Sequence, residues 1–162
     1  TQYDTKRQAL INSIARQESR FIPTSISTSY AMGVMQIMPF LSKALAKELN
    51  EEYDIDKQLE AQTNLRYANK HLTWLENRLE HPLFIAYAYN GGIGFTKRML
   101  QSGIFKKGKF EPYLSMELVP YDESKKYGKK VLANYVIYYN YLHKKKTSIT
   151  TLLNNLTPPY QN

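Results

Sequence analysis

Apolar positions recur along this 162-residue chain every three or four residues, the period that lines one face of an α-helix. The longest stripe is Ala61, Leu65, Ala68, Leu72, Leu75 and Leu79, which predicts a helix of about five turns. Upstream, Thr5 and Gln8 read as a capping box, and Leu10 and Ile14 follow four apart on one face. Glu18 continues that spacing near the predicted helix end. Pro23 and the Ser/Thr-rich residues 24–29 read as loop. A second helix is predicted over residues 32–37, stopping short of Pro39 because a residue before proline avoids helical geometry. Pro39 suits the first turn of a third helix, with Leu41, Ala44 and Leu45 facing inward. Pro82 opens another, which Gly91, Gly92 and Gly94 interrupt. A shorter helix then runs to Ser102, with Gly103 as its stop.

Beyond the basic loop Lys106-Lys107-Gly108-Lys109, Asp122 is expected to cap a long last helix carrying Tyr127, Val131, Tyr135, Tyr138 and Leu142. Gly128 inside it costs about 1 kcal/mol relative to alanine. The tail, residues 157–160, is expected to be extended. No segment alternates with the two-residue period of a strand. The predicted class is therefore all-α, with at most a short hairpin around residues 25–29. No repeat or low-complexity tract appears, and the length suits one domain over residues 1–162.

Composition narrows the possibilities. With 43% hydrophobic residues the chain is globular, not disordered. It has no apolar run of about 18 residues to span a membrane. No leader pattern is seen and the first residue is Thr1, so a processed protein, or the C-terminal part of a larger helical protein, is expected. Cysteine is absent, which excludes disulfides and thiolate metal sites. That suits an oxidising compartment, although a cytosolic protein can also lack cysteine. The formal charge of +8 attracts polyanions: nucleic acid is one candidate, an anionic wall polymer another, and a merely solvated basic surface a third. The 14 tyrosines offer the apolar faces and polar tips that carbohydrate grooves use, and they serve equally well as core packing.

The chemistry lies in four blocks: Ala15-Arg16-Gln17-Glu18-Ser19-Arg20, Ala31-Met32-Gly33-Val34-Met35-Gln36-Ile37-Met38-Pro39, Ala86-Tyr87-Ala88-Tyr89-Asn90-Gly91-Gly92, and Glu117-Leu118-Val119-Pro120-Tyr121-Asp122-Glu123-Ser124. A lone glutamate at the end of an amphipathic helix is usually a solvated surface group. Glu18, however, extends an apolar face, and a glycine-bearing segment follows after a loop long enough to fold back over it. Gly33 lets backbone or a sugar approach closely. Gln36 offers both donor and acceptor to an N-acetyl sugar. Met38 is soft enough to lie against a sugar face, whereas Met32 and Met35 suit the core.

In order and spacing the four blocks resemble the catalytic domain of the soluble lytic transglycosylases, lysozyme-like enzymes that cut bacterial peptidoglycan. The resemblance covers residues 7 to 142. It implies a lysozyme-like helical fold and a single catalytic glutamate, Glu18. That residue first protonates the oxygen between muramic acid and glucosamine, then takes the proton of the sugar's own C6 hydroxyl to close a 1,6-anhydro ring. Such an acid needs a raised pKa, which apolar surroundings supply; Met35, Ile37, Met38 and Tyr89 are candidates for the wall. The resemblance also implies substrate contacts from Ser27, from Tyr89 and Asn90 near the acetamido group, and from Glu117, whose alternative role is to anchor the last helix by a salt bridge. One departure stands out: His71 occupies the place of a family tyrosine that touches substrate. His71, His81 and His143 lack metal-ligand spacing, so no metal is expected, and no cofactor is implied. The implied partner is the peptidoglycan glycan strand, in the periplasm, with the protein a monomer. A goose-type hydrolytic muramidase, a non-catalytic wall-binding module and a helical nucleic-acid-binding domain are the alternatives.

Overall fold

The chain folds into helices wherever the periodicity was strong, and the first begins at a side-chain cap. In the structure, a computed structural model describing residues 3–144 and 146–156, the Asp4 carboxylate accepts the Arg7 N–H at 2.9 Å and starts α1 (Thr5–Glu18). The expected Thr5–Gln8 box is not the cap. A carboxylate one residue earlier is the better acceptor for the positive end of a helix. There follow α2 (Pro39–Glu48), a 3₁₀ turn (Lys57–Leu59), α3 (Ala61–Glu76), α4 (Pro82–Gly91), α5 (Ile93–Gln101), α6 (Tyr113–Glu117), α7 (Asp122–His143) and α8 (Ile149–Asn154). The class is all-α, and among the described residues the only β pairing is two isolated bridges.

The centre of the core is α4. Leu83 through Ala88 are all buried, as a helix apolar on every side must be. Against it lies α7, which also packs along α1; Ile14 and Ala15 of α1 and Val131 and Leu132 of α7 join one apolar cluster. Gly128 allows the α4–α7 approach. A Cβ there would stand 2.3 Å from the Tyr87 ring, so the propensity lost at this glycine is offset by close packing.

Several expectations need correcting. Residues 32–37 form no helix. Met32 and Ile37 exchange backbone hydrogen bonds at 3.0 Å each, and the chain reverses between them through Gly33 (φ +83°) and Gln36 (φ +49°). Left-handed backbone at two of six positions rules out a helix there, whatever the spacing of the methionines. A second bridge joins Ile26 to Met32, so the hairpin-like pairing spans more than residues 25–29. On α2, Ala44 is exposed and Ser42 and Ala46 are buried beside Leu45. Leu79 lies past the end of α3, though it is buried. Asp122 is the first residue of α7 and not its cap. Its carboxylate pairs with Lys125 at 3.0 Å. Nor is α7 the last helix, because Ser148 caps α8 beyond it. The tail, residues 157–160, falls outside the described residues.

One buried side chain supports the reversed turn. Asn64 of α3 accepts the Met35 N–H at 2.8 Å, and its Nδ2 donates to the carbonyls of Met32 (2.9 Å) and Gln58 (3.1 Å). Gln58 in turn donates to the Ile37 carbonyl at 2.7 Å and accepts the Tyr53 hydroxyl at 2.8 Å. Asn64 lies against Gly33, where a Cβ would stand 2.2 Å from its Nδ2. Asn64→Ala takes the partner from the Met35 N–H and from the Gln58 carbonyl, and one of two donors from the Met32 carbonyl, which keeps the Ile37 N–H. Each buried group left without a partner costs about 1–3 kcal/mol. We expect a loss of roughly 3 kcal/mol in stability, read as a fall in the urea midpoint with an unchanged slope; a midpoint within experimental error of the parent would refute the bracing role.

Candidate functional site

Glu18 ends α1, and the residues around it determine its chemistry. The helix stops there because Ser19 leaves helical geometry and Arg20 and Phe21 take left-handed backbone. The Ser19 hydroxyl donates to the Val34 carbonyl at 2.7 Å, tying the end of α1 to the Asn64-braced turn. From α4, the Tyr89 hydroxyl donates to the Met35 carbonyl at 2.8 Å. From α7, the Tyr127 hydroxyl donates to Glu18 Oε1 at 2.6 Å. These hydrogen bonds tie α4 and the end of α1 to the turn, and α7 to the carboxyl itself.

Beside it opens a cavity of about 270 Å³, lined by Gln17, Asn90, Glu123, Lys126, Tyr127 and Lys130 as well as Glu18. Loss of water around the carboxyl raises the Glu18 pKa from 4.5 to about 7. The Tyr127 hydrogen bond pulls the other way, and the negative charge of Glu123 adds to the rise. A carboxyl half protonated near neutrality can deliver a proton and then take one back. Tyr89 and Tyr127 feel the same enclosure. Burial, with the field of Glu18 added, holds both phenols well above their ordinary range, so both are hydrogen-bond donors at any physiological pH.

Asn90 sits on the rim. Its Oδ1 accepts the Ser124 hydroxyl at 2.7 Å and its Nδ2 donates to Glu123 Oε1 at 3.1 Å, so it holds a second carboxylate at the cavity. His71 lies behind Tyr89. The two rings are 5.7 Å apart, and the imidazole stacks on Trp74 at 6.0 Å. Burial lowers its pKa, with Glu48 opposing, so the ring is neutral at pH 7. His71 also lines a separate hollow of about 250 Å³ with Leu41, Leu45, Glu48 and Trp74.

The other sequence candidates have different surroundings. Gln36 donates to the carbonyls of Ser25 (3.0 Å) and Gly33 (2.8 Å), so its amide hydrogens close the loop. The Ser27 hydroxyl accepts the N–H groups of Ser29 (3.2 Å) and Ala31 (2.9 Å). Met38, half-buried, stands just before α2. Glu117 ends α6 on the exposed surface and is paired with Lys129, whose hydrogen bond lowers its pKa; it does not line the Glu18 cavity. The proposed anchor to the long helix is thus present, though exposed instead of buried. Of the residues expected to wall the acid, Met35 and Ile37 belong to the core, while Met38 and Tyr89 are partly open.

Sequence reasoning missed the parts played by Tyr127 and Glu123, and it gave Asn64 no role. Tyr127 was read as one position of an apolar stripe, and a phenol on such a stripe carries no mark of its hydroxyl's target. Glu123 lies within the fourth block, six residues after Glu117. Its cue was Ser124, next in sequence, which needed a polar partner if buried. Among the described residues no three His, Asp or Glu side chains gather as a metal would require.

The family model described as "Transglycosylase SLT domain" matches residues 1–110. The soluble lytic murein transglycosylase of Salmonella typhimurium is 30% identical over 145 residues, 88% of this chain and 22% of that protein. Its Escherichia coli K12 counterpart is 31% identical over 137 residues, 83% and 21% respectively. The chain thus spans about a fifth of the length of these relatives. Among solved structures, the 70-kDa soluble lytic transglycosylase of Escherichia coli superposes with a TM-score of 0.77 at 29% identity, covering 90% of this chain and 23% of that one. A lytic transglycosylase of Pseudomonas aeruginosa shares the fold, with a TM-score of 0.75 at 24% identity. With two thirds of its length under one family model and its fold shared with solved members, the chain belongs to the transglycosylase SLT domain family.

Proposed function

We propose that this domain cleaves the bond between N-acetylmuramic acid and N-acetylglucosamine in peptidoglycan without water, leaving a 1,6-anhydromuramic end. The observation that carries this reading is Glu18: a carboxyl enclosed enough to sit near pKa 7, oriented by Tyr127, and open to a cavity. The printed names of the relatives, murein transglycosylases, support the substrate class. That substrate would place the protein in the bacterial cell envelope, on the periplasmic side.

In the first step the protonated Glu18 gives its proton to the glycosidic oxygen. The C1–O bond breaks with its electron pair going to the departing glucosamine. Positive charge develops on the muramic ring, and the substrate's own acetamido carbonyl stabilises it. Glu18 is now a carboxylate, which the Tyr127 hydroxyl holds in place at 2.6 Å. In the second step it takes the proton from the C6 hydroxyl as that oxygen bonds to C1. The carboxyl ends as it began, and no water is consumed. Asn90 and Tyr89 are the substrate contacts we favour on the α4 side, with Met38 and His71 beyond them. Ser27 and Gln36 shape the loop opposite, and Glu117 steadies α7.

Hydrolysis is the second reading, and Glu123 favours it. Asn90 holds this carboxylate at the same cavity as Glu18, and paired carboxylates are the usual equipment of hydrolytic glycosidases. Product chemistry separates the two. Cleavage in oxygen-18 water should give anhydro ends without label, because the attacking oxygen is the sugar's. Reducing ends carrying one labelled oxygen, seen by mass spectrometry of fresh products, would instead establish a hydrolase.

Two substitutions test the acid. Glu18→Gln keeps shape but cannot deliver a proton, and sacculus turnover should drop by roughly 10²-fold or more with the thermal midpoint retained. Activity within a few-fold of the parent would remove Glu18 from the mechanism. Tyr127→Phe deletes a hydrogen bond that favours the carboxylate. The Glu18 pKa should then rise, so the alkaline limb of kcat/KM should move to higher pH while the maximal rate falls. A limb that stayed in place, or moved to lower pH, would show that Tyr127 does not tune the acid.

A further inference from the structure

We propose that His81 is an acid-sensitive latch: as a neutral ring it docks α8 onto the start of α4, and taking up a proton releases that helix. The latch lies at the end of the molecule away from Glu18. α4 is 10 residues long, about 15 Å, with His81 before its first turn and Asn90 in its last.

Both ring nitrogens of His81 are engaged. Nδ1 accepts the Leu83 N–H at 3.1 Å, and Nε2 lies 3.0 Å from the Leu152 carbonyl of α8. An N–H can only donate and a carbonyl can only accept. Nδ1 is therefore bare, and Nε2 carries the hydrogen. The neutral ring in that one tautomer satisfies both partners. An imidazolium has a hydrogen on each nitrogen and cannot accept from Leu83, a residue with no exposed surface. It would also set a positive charge at the positive end of the α4 dipole. One ring orientation makes both bonds, so a ring that swings away from the Leu83 N–H lets go of Leu152 as well.

The surroundings do not compensate the charged ring. Phe84 packs on it at 5.8 Å, and α8 (Ile149–Asn154) carries no charged side chain. From α6, Tyr113 reaches only Thr150. The hollow lined by Pro82 and Leu152 brings Asp4, Lys6 and Arg7 from the start of α1, Glu76 from α3, Glu80, and Tyr135 and Tyr139 from α7. Arg7 and Glu76 are paired with each other, and Tyr139 has His143 beside it at 4.3 Å. Burial lowers the His81 pKa from its ordinary 6.5, opposed by the Leu152 hydrogen bond and by no carboxylate. A released ring regains the ordinary value. The docked form is thus favoured in full above pH 6.5, and it loses ground as pH falls toward the lowered value.

α8 is the element that gives way. Its six residues are too few to hold a helix without a neighbour. Just before it, Asn140 donates to the Thr147 carbonyl at 2.8 Å and accepts the Thr147 N–H at 2.7 Å, which hinges the chain to α7. Beyond the hinge, Leu153 is the one side chain of α8 that is buried. The Tyr113 contact with Thr150 is exposed and long, at 3.4 Å. α4, by contrast, has Leu83 through Ala88 in the core. An element so lightly held opens before the fold as a whole. Its release bares Leu153 and the core surface beneath it.

The test follows α8 in the intact protein by hydrogen exchange, corrected for the intrinsic rate at each pH. Protection of the α8 amides should fall about tenfold per pH unit below 6.5, the slope of one proton, while amides of α1 and α3 keep theirs. NMR of the ring nitrogens should find the Nε2–H tautomer at neutral pH and a titration midpoint below 6.5. His81→Asn keeps a good helix cap but cannot titrate. In that variant α8 protection should be lower at neutral pH and should no longer change with pH. A pH slope that survives in His81→Asn overturns the latch, and so does flat α8 protection in the parent protein between about pH 8 and 5. Loss of protection in α1, α3 and α8 together would mean acid unfolding of the whole domain, and overturns it too. An Nδ1–H tautomer, or a midpoint at or above 6.5, refutes it without any variant. None of these measurements requires cleavage.

Discussion

The hydrogen bond from Tyr127 to Glu18 joins the end of α1 to α7, and much of the molecule is arranged so that it can form. Tyr127 precedes Gly128, whose missing side chain lets α7 press onto the Tyr87 ring of α4. A bulkier residue would move the helix outward and carry the phenol away from the carboxyl. The same approach lets Ser124, one turn earlier, reach Asn90 at the end of α4. The costs of a mid-helix glycine and of two enclosed phenols are thus balanced at one place. What results is a carboxyl poorly solvated enough to hold a proton near neutrality, yet held by a donor that steadies its ionised form. These two influences oppose each other in pKa, and the position of the balance matters more than either alone.

Helices with strong periodicity were legible in the sequence. The stripe from Ala61 to Leu75 and the start of α4 at Pro82 appear where the pattern puts them. The order of the four blocks singles out Glu18, and the structure encloses that carboxyl beside a cavity. The turn over residues 32–37 was misread because the spacing of Met32, Met35 and Ile37 imitates a helix. What decides its conformation is Asn64, about thirty residues away, and a local pattern does not reveal a distant polar partner. The cap of α1 lies one residue earlier than expected for a smaller reason: an acid and a hydroxyl adjoin there, Asp4 and Thr5, and only geometry chooses between them; α7 has no side-chain cap, and Asp122 pairs with Lys125 instead. Glu123 illustrates the third limit. A block that identifies a family does not say which of its acids faces the cavity, because that depends on how α7 is rotated against α4.

Electrostatics divides the surface near the site in two. On the α4 side, Asn90 and Glu123 present amide and carboxylate. On the α1 side, Arg16 and Arg20 line a second hollow between the end of α1 and α7, with Lys130 bordering both it and the Glu18 cavity. The net charge of +8 is therefore not spread evenly around the acid, and it is the distribution, not the total, that bears on which ligands approach from which side.

The Asn64 brace also bears on how the molecule folds. The Gly33 turn has local hydrogen bonds of its own between Met32 and Ile37 and from Gln36, but the Met35 N–H inside it finds its partner only in Asn64, and Gln58 adds a donor to the Ile37 carbonyl. Both lie beyond α2, so the intervening chain must close a long loop before the turn gains a partner. Contacts of that range wait on closure of the intervening loop. The carboxyl should gain its raised pKa only once α7 has packed against α1, because burial and the α7 residues Tyr127 and Glu123 are what set it. A partly folded chain would carry Glu18 as an ordinary solvated acid, so proton-transfer chemistry is available only to the finished fold.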